Sequence, residues 1–66
     1  MKIVINGVEK EVREGTTLKE LLEELKILEK VMAVAVNTQI VKREEWERFQ
    51  LRERDKIEAL QFVGGG

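Results

Sequence analysis

The sequence predicts an α+β domain: a mixed sheet of four to five strands with one helix packed on one face. Three observations carry that prediction. Two short β-branched runs flank an Asn6-Gly7 pair, a leucine stripe with helical spacing begins at Leu18, and two further apolar runs begin at Val31 and Ile57. At 66 residues the chain makes one domain with a thin core. Stability is therefore expected near the low end of the usual range of roughly 5–15 kcal/mol.

The segment Met1-Lys2-Ile3-Val4-Ile5 reads as a strand. Asn6-Gly7 is the favoured pair for a two-residue type I′ turn, whose central residues both need positive φ. The returning strand, Val8 to Arg13, is then in register: Ile5 faces Val8, Ile3 faces Lys10 and Met1 faces Val12. On the opposite face Val4 meets Glu9, and Lys2 meets Glu11 as a cross-strand charge pair. The first face is mainly apolar and the second mainly wet.

Glu14-Gly15 breaks the strand, and Thr17 with Glu20 forms a capping-box pattern that opens a helix. Leu18, Leu21, Leu22, Leu25 and Leu28 share one stripe, with Lys19, Glu20, Glu23, Glu24 and Lys26 around it. Such a stripe serves either a coiled coil or a sheet face; its length falls short of three sustained heptads, which favours the sheet. No Gly or Pro marks the helix end.

Val31 to Asn37 is a continuous small apolar run and predicts a central strand. Asn37-Thr38-Gln39 turns the chain into a short strand, Ile40-Val41. The stretch from Lys42 to Gln50 is irregular or a helical turn carrying Trp46 and Phe49; a Trp there more often closes the end of a core than serves as a ligand platform. Leu51 to Lys56 is a charged loop. The last strand, Ile57 to Val63, runs into Gly64, Gly65 and Gly66. Period-2 alternation sends Ile57 and Ala59 toward the helix, and Glu58, Leu60 and Phe62 to the wet face. If the first and last strands are neighbours, Val4, Leu60 and Phe62 form one exposed apolar patch suited to docking a partner; the alternative is a register in which Glu58 sits at the sheet edge and Leu60 and Phe62 are core.

Composition excludes more than it includes. The chain has no His, Cys, Ser or Tyr, and its only hydroxyls are Thr16, Thr17 and Thr38. No nucleophile can be paired with an imidazole base, and a metal site would need carboxylates alone, with no spacing that suggests one. Catalysis by this chain is not expected. Twelve basic residues against thirteen acidic ones, net −1, lack the basic excess of a nucleic-acid binder. No apolar run is long enough for a membrane-spanning helix, and the absence of cysteine is compatible with the cytoplasm. The three glycines are either a linker remnant or a narrow, flexible strand able to enter another protein's active site carboxylate first. The expected organisation is a domain over residues 1–63 and a flexible tail over residues 64–66.

Taken together, the order of elements is that of a β-grasp fold, with the first hairpin and the last strand central and the two terminal strands parallel. A chain of this kind that ends in glycines resembles the ubiquitin-like sulfur carriers, most closely those of thiamin thiazole biosynthesis. The residues carrying the resemblance are Asn6-Gly7, Gly15-Thr16-Thr17-Leu18 with Leu21-Leu22, and Ala35-Val36-Asn37. They continue with Ile40-Val41, Arg43, Trp46, Asp55, Ile57 and the terminal glycines. The resemblance implies that a ubiquitin-activating-type adenylyltransferase binds the body and adenylates the Gly66 carboxylate, using its own ATP and Mg²⁺. A persulfide supplied through a cysteine desulfurase then converts the acyl-adenylate to a thiocarboxylate, and a thiazole synthase receives the sulfur. Gly64 and Gly65 give the tail its slimness, and no cofactor resides on the carrier. The family commonly ends in two glycines, so Gly64 is a departure. A molybdopterin-type sulfur carrier or a ubiquitin-like protein modifier shares the fold and the glycine end, and remains open at this point.

Overall fold

A computed structural model of the chain describes residues 1–61; the predicted domain boundary and the glycine tail lie outside the described residues. Five strands and one α-helix follow in the order β1 (Lys2–Ile5), β2 (Val8–Glu11), α1 (Leu18–Glu24), β3 (Val31–Val36), β4 (Gln39–Val41) and β5 (Lys56–Gln61), with a 3₁₀ turn at Arg43–Glu45 before β5. The sheet order is β2-β1-β5-β3-β4. β5 runs parallel to β1 and antiparallel to β3, so the last strand is buried between the two and β2 is an edge strand rather than a central one.

The hairpin has the register that its two-residue loop dictates, with Ile5 opposite Val8, Ile3 opposite Lys10, Val4 opposite Glu9 and Lys2 opposite Glu11. Asn6 and Gly7 both adopt positive φ, 49° and 83°. Two details differ from expectation. Lys2 forms its ion pair diagonally, with Glu9 at 3.9 Å, and not with Glu11. Val8 is 64% exposed, because the inward face of an edge strand borders solvent.

Helix α1 begins as predicted. The Thr17 hydroxyl accepts the Glu20 N–H and the Glu20 carboxylate accepts the Thr17 N–H, completing the capping box. The next orphan donors find tertiary partners: Leu18 N–H donates to the Phe49 carbonyl and Lys19 N–H to the Trp46 carbonyl. The helix is shorter than the leucine stripe. It stops at Glu24 with Leu25 as C-cap, and Lys26 takes a left-handed φ of 60°. Lys26 N–H then bonds the Glu23 carbonyl and Ile27 N–H the Leu22 carbonyl, which is a Schellman motif built without glycine. Leu25 and Leu28 still pack against the core, now from the cap and the following turn. Lys26→Gly is expected to raise stability by about 1 kcal/mol, since a Cβ in the left-handed region costs about 1–2 kcal/mol; a denaturation midpoint measures it.

The core is Leu18, Leu21 and Leu22 of α1 against Ile3, Ile5, Val31, Val34, Val36, Ile57 and Ala59 of the sheet. Each fully buried Leu or Ile contributes about 1.5–3 kcal/mol. Trp46 and Leu51 close one end of this core. The Trp46 indole N–H donates to the Val41 carbonyl at 2.9 Å. The Arg43 guanidinium lies 4.7 Å above the Trp46 ring and donates to the Val31 carbonyl at 2.7 Å. That carbonyl sits where the β3–β5 register shifts between Val31 and Ala33. Trp46 is therefore architecture and not a platform for a ligand.

Candidate functional site

The site is built around β5, the strand that leads into the glycines. Its alternation is as the sequence predicts: Ile57 and Ala59 are buried, and Lys56, Glu58 and Leu60 face outward. Leu60 is 61% exposed, which excludes the register that would make it core.

The neighbours of Leu60 differ from those expected. Leu60 stands opposite Ala33 on β3, and Glu58 opposite Ala35, which in turn pairs with Ile40 on β4. Ala33, Ala35, Ile40 and Leu60 line one shallow depression on the outer face. Ile40 is 71% exposed. Val4 lies on the other side of β5, opposite Lys56, so Lys56 and Glu58 intervene between it and Leu60. The structure does not bring Val4 and Leu60 into one patch. The outer face is instead divided, with Glu9, Glu11, Lys2 and Lys56 on one half and the depression around Leu60, which Glu58 borders, on the other. Phe62, Gly64, Gly65 and Gly66 lie outside the described residues.

The part of this face contributed by β3 and β4 was concealed in the sequence. The run Val31 to Val36 looks apolar on both faces and therefore buried on both. In the structure Val34 and Val36 point inward while the smaller Ala33 and Ala35 face out, half-buried. Alternation in side-chain size was the available signal.

β5 is held at its start and again at Ala59 by asparagines from β-turns. At its start, Lys56 N–H donates to Asn37 Oδ1 at 3.0 Å, and Asn37 Nδ2 donates to Asp55 Oδ1 at 2.9 Å. Asp55 is buried, and its other carboxylate oxygen accepts the Arg52 N–H at 2.7 Å. Further along, Ala59 N–H donates to Asn6 Oδ1 at 2.8 Å while Asn6 Nδ2 donates to the Ala59 carbonyl at 3.2 Å. Among the described residues, no buried side-chain nitrogen or oxygen lacks a hydrogen-bond partner. None of their His, Cys, Asp and Glu side chains gather in threes where a metal ion could be held. Among the described residues, no helix is long and apolar enough to cross a membrane.

Residues 3–66 match the ThiS family. The chain belongs to that family. It is 36% identical over 66 residues to the sulfur carrier protein ThiS of Escherichia coli, with both chains covered completely. It is also 36% identical over 66 residues to a thiazole synthase of Paramagnetospirillum magneticum, of which it spans only 20%. Among solved structures, the thiamine biosynthesis protein ThiS of Geobacter metallireducens superposes with a TM-score of 0.81 at 33% identity, each chain covered completely. The β-grasp fold and the resemblance drawn from motifs are thus both borne out.

The residues that carried the ThiS resemblance acquire physical roles. Asn6 and Asn37 grip β5, Thr17 caps α1, Asp55 braces the loop before β5, and Arg43 with Trp46 seals the core. Most of the legible ThiS pattern within the described residues therefore encodes the fold.

Proposed function

We propose that this chain is a sulfur carrier for thiazole formation in thiamin synthesis, with the Gly66 carboxylate as the reacting group. The observation that carries the reading is the end-to-end match to the ThiS of Escherichia coli, which is named as a sulfur carrier. The residue inventory supports it, because a chain without His, Cys, Ser or Tyr suits a substrate of other enzymes better than a catalyst.

In this reading a ubiquitin-activating-type enzyme docks on the apolar half of the outer face. Leu60, Ala33, Ala35 and Ile40 are the anchors, since this half is continuous with the strand entering the tail. Phe62, two positions after Leu60 in the sequence, is the further apolar residue offered to the partner. Val4, beyond Lys56 and Glu58, takes part only where the partner also covers the charged half. Gly64 and Gly65 let the chain pass a close-fitting wall that a Cβ would obstruct.

A Gly66 carboxylate oxygen attacks the α-phosphorus of ATP, pyrophosphate leaves, and an acyl-adenylate forms, with Mg²⁺ and all reactive side chains on the partner. The terminal sulfur of a protein persulfide attacks the acyl carbon and displaces AMP. A second thiol then cleaves the resulting sulfur–sulfur bond, becoming a disulfide with the partner cysteine and leaving a thiocarboxylate on Gly66. A thiazole synthase is the acceptor. The extensive match to a segment of larger thiazole synthases favours it, because carrier and acceptor then share one polypeptide in those relatives. A chain without cysteine is compatible with a reducing compartment such as the cytoplasm.

Incubation with an activating enzyme, ATP and a persulfide source tests the reading by intact mass. The expected result is one oxygen-to-sulfur exchange, placed on Gly66 by fragmentation. Deleting Gly66 should abolish the exchange while leaving the thermal midpoint nearly unchanged, because a glycine removes no side chain from the core. Higher-mass conjugates in place of the exchange would mark a protein modifier, and no exchange with a partner active on another carrier would overturn the proposal.

A further inference from the structure

β5 is held on its two sides to different extents. On the β3 side, pairing continues as far as Val31 opposite Gln61. On the β1 side, the parallel ladder runs from Val4 N–H on the Asp55 carbonyl to Asn6 N–H on the Ile57 carbonyl. At that point the backbone of β1 turns away through Gly7. The Asn6 side chain extends the ladder by one more step. Its amide carries a donor and an acceptor in the same plane, as a peptide unit does, and it meets both backbone polar groups of Ala59. Among the described residues, no strand pairs with β5 on this side after Ala59.

The turn conformation alone does not require this asparagine. Glycine reaches φ of 49° at lower steric cost, so what Asn6 adds is its grip on Ala59. Ala59 stands seven positions before Gly66. Whatever angle and register β5 has at Ala59 is the starting point for everything that follows it.

We propose that Asn6 is a positioning residue for the reaction at Gly66: by clasping Ala59 it sets the origin and direction from which the tail reaches the activating site. The inference rests on the sulfur-carrier reading above. Asn6 touches no reacting atom. The docking face of Leu60, Ala33, Ala35 and Ile40 is held from the β3 side, where Leu60 pairs with Ala33, so partner affinity should survive the loss of Asn6 while the alignment of the tail suffers. Misplacing a reacting group by about 1 Å can cost up to about 100-fold in the chemical step while leaving binding at a separate face unchanged.

Asn37 supplies the control. It too is a turn asparagine at positive φ, 50°, and it too bonds β5, but at Lys56, the end away from the tail. Asn6→Gly and Asn37→Gly each keep a residue that accepts the turn and remove the side-chain clasp. Pyrophosphate release measured with the activating enzyme and ATP should show kcat about tenfold lower for Asn6→Gly with KM within about twofold, whereas Asn37→Gly keeps both. Amide hydrogen exchange gives a second readout without the partner. Ala59 should exchange at least about tenfold faster in Asn6→Gly, and Lys56 in Asn37→Gly. Asn6→Asp retains the acceptor for Ala59 N–H and loses the donor, and should fall between wild type and Asn6→Gly; it stands in if Asn6→Gly folds poorly.

Equal kcat in the two glycine variants, or a loss appearing in KM alone, overturns the inference and leaves Asn6 a structural residue. A wild-type chain that is never adenylated overturns the sulfur-carrier reading itself. That failure appears in the wild type, whereas failure of the inference appears only in the comparison of variants.

Discussion

Trp46→Ala is expected to leave a chain that is largely unfolded or close to it. The side chain is 2% exposed, and it closes the core beside Leu51 and Val41. Truncating a buried aromatic residue to alanine costs about 3–5 kcal/mol. A domain of this size, near the low end of roughly 5–15 kcal/mol, has little more to lose. The damage also spreads through bonds. The Val41 carbonyl loses the indole N–H, and Arg43 loses the ring on which it rests while still bonded to Val31. The Trp46 carbonyl, which receives the Lys19 N–H at the start of α1, depends on the same local geometry. Denaturant titration followed by circular dichroism measures the effect. Trp46→Phe should recover most of it, leaving a loss of about 1–2 kcal/mol for the unpaired Val41 carbonyl and the smaller ring. An alanine variant with a midpoint near wild type would mean that Trp46 does not hold the core.

Leu60→Glu should have the opposite profile, with stability nearly intact and partner binding lost. At 61% exposure, its replacement removes little buried area, and surface changes of this kind usually stay within about 0.5 kcal/mol. In a docked complex the same position faces an apolar surface together with Ala33, Ala35 and Ile40. Losing a buried leucine there forfeits about 1.5–3 kcal/mol, and a desolvated carboxylate without a counter-charge adds to that. The expected result is affinity for the activating enzyme reduced by at least tenfold, a factor that corresponds to about 1.4 kcal/mol. Calorimetric titration alongside a thermal melt separates the two quantities. Val4→Glu, on the other half of the face, should weaken binding less. A Leu60→Glu chain that unfolds, or that binds normally, would remove this depression from the docking surface.

What could be read before any coordinates follows from interactions close in sequence or periodic along it. A two-residue loop leaves the hairpin one register, so Ile3 opposite Lys10 and Lys2 opposite Glu11 were determined by Asn6-Gly7 and the pleat. The capping box spans three residues, from Thr17 to Glu20. Alternation on β5 separates buried Ile57 and Ala59 from exposed Leu60 without reference to any partner strand. The glycine end and the absence of His, Cys, Ser and Tyr are properties of composition, read directly from the sequence.

Other features depend on which segments meet, and no local pattern encodes that. Lys26 adopts a left-handed φ that its own chemistry disfavours, because the Schellman bonds and the packing of Leu25, Ile27 and Leu28 outweigh the local cost. The leucine stripe therefore overstated the helix. The segment Arg43 to Gln50 has weak preferences of its own; it is ordered because its Trp46 and Phe49 carbonyls accept N–H groups of α1 and its indole N–H donates to the Val41 carbonyl. The outer apolar depression unites β3, β4 and β5, and Val4 fell outside it once parallel pairing set Lys56 beside it.

Asparagine shows the division most clearly. Asn6 and Asn37 were legible as turn residues because positive φ is a local requirement. Their grip on Ala59 and Lys56 was not, because those partners lie 53 and 19 residues away. Short-range sterics and periodicity determined the hairpin, the helix start and the glycine end from the sequence alone. The tertiary structure decided where β5 is clasped and which face accompanies it toward the tail, because contacts between distant segments exist only after the chain has closed on itself.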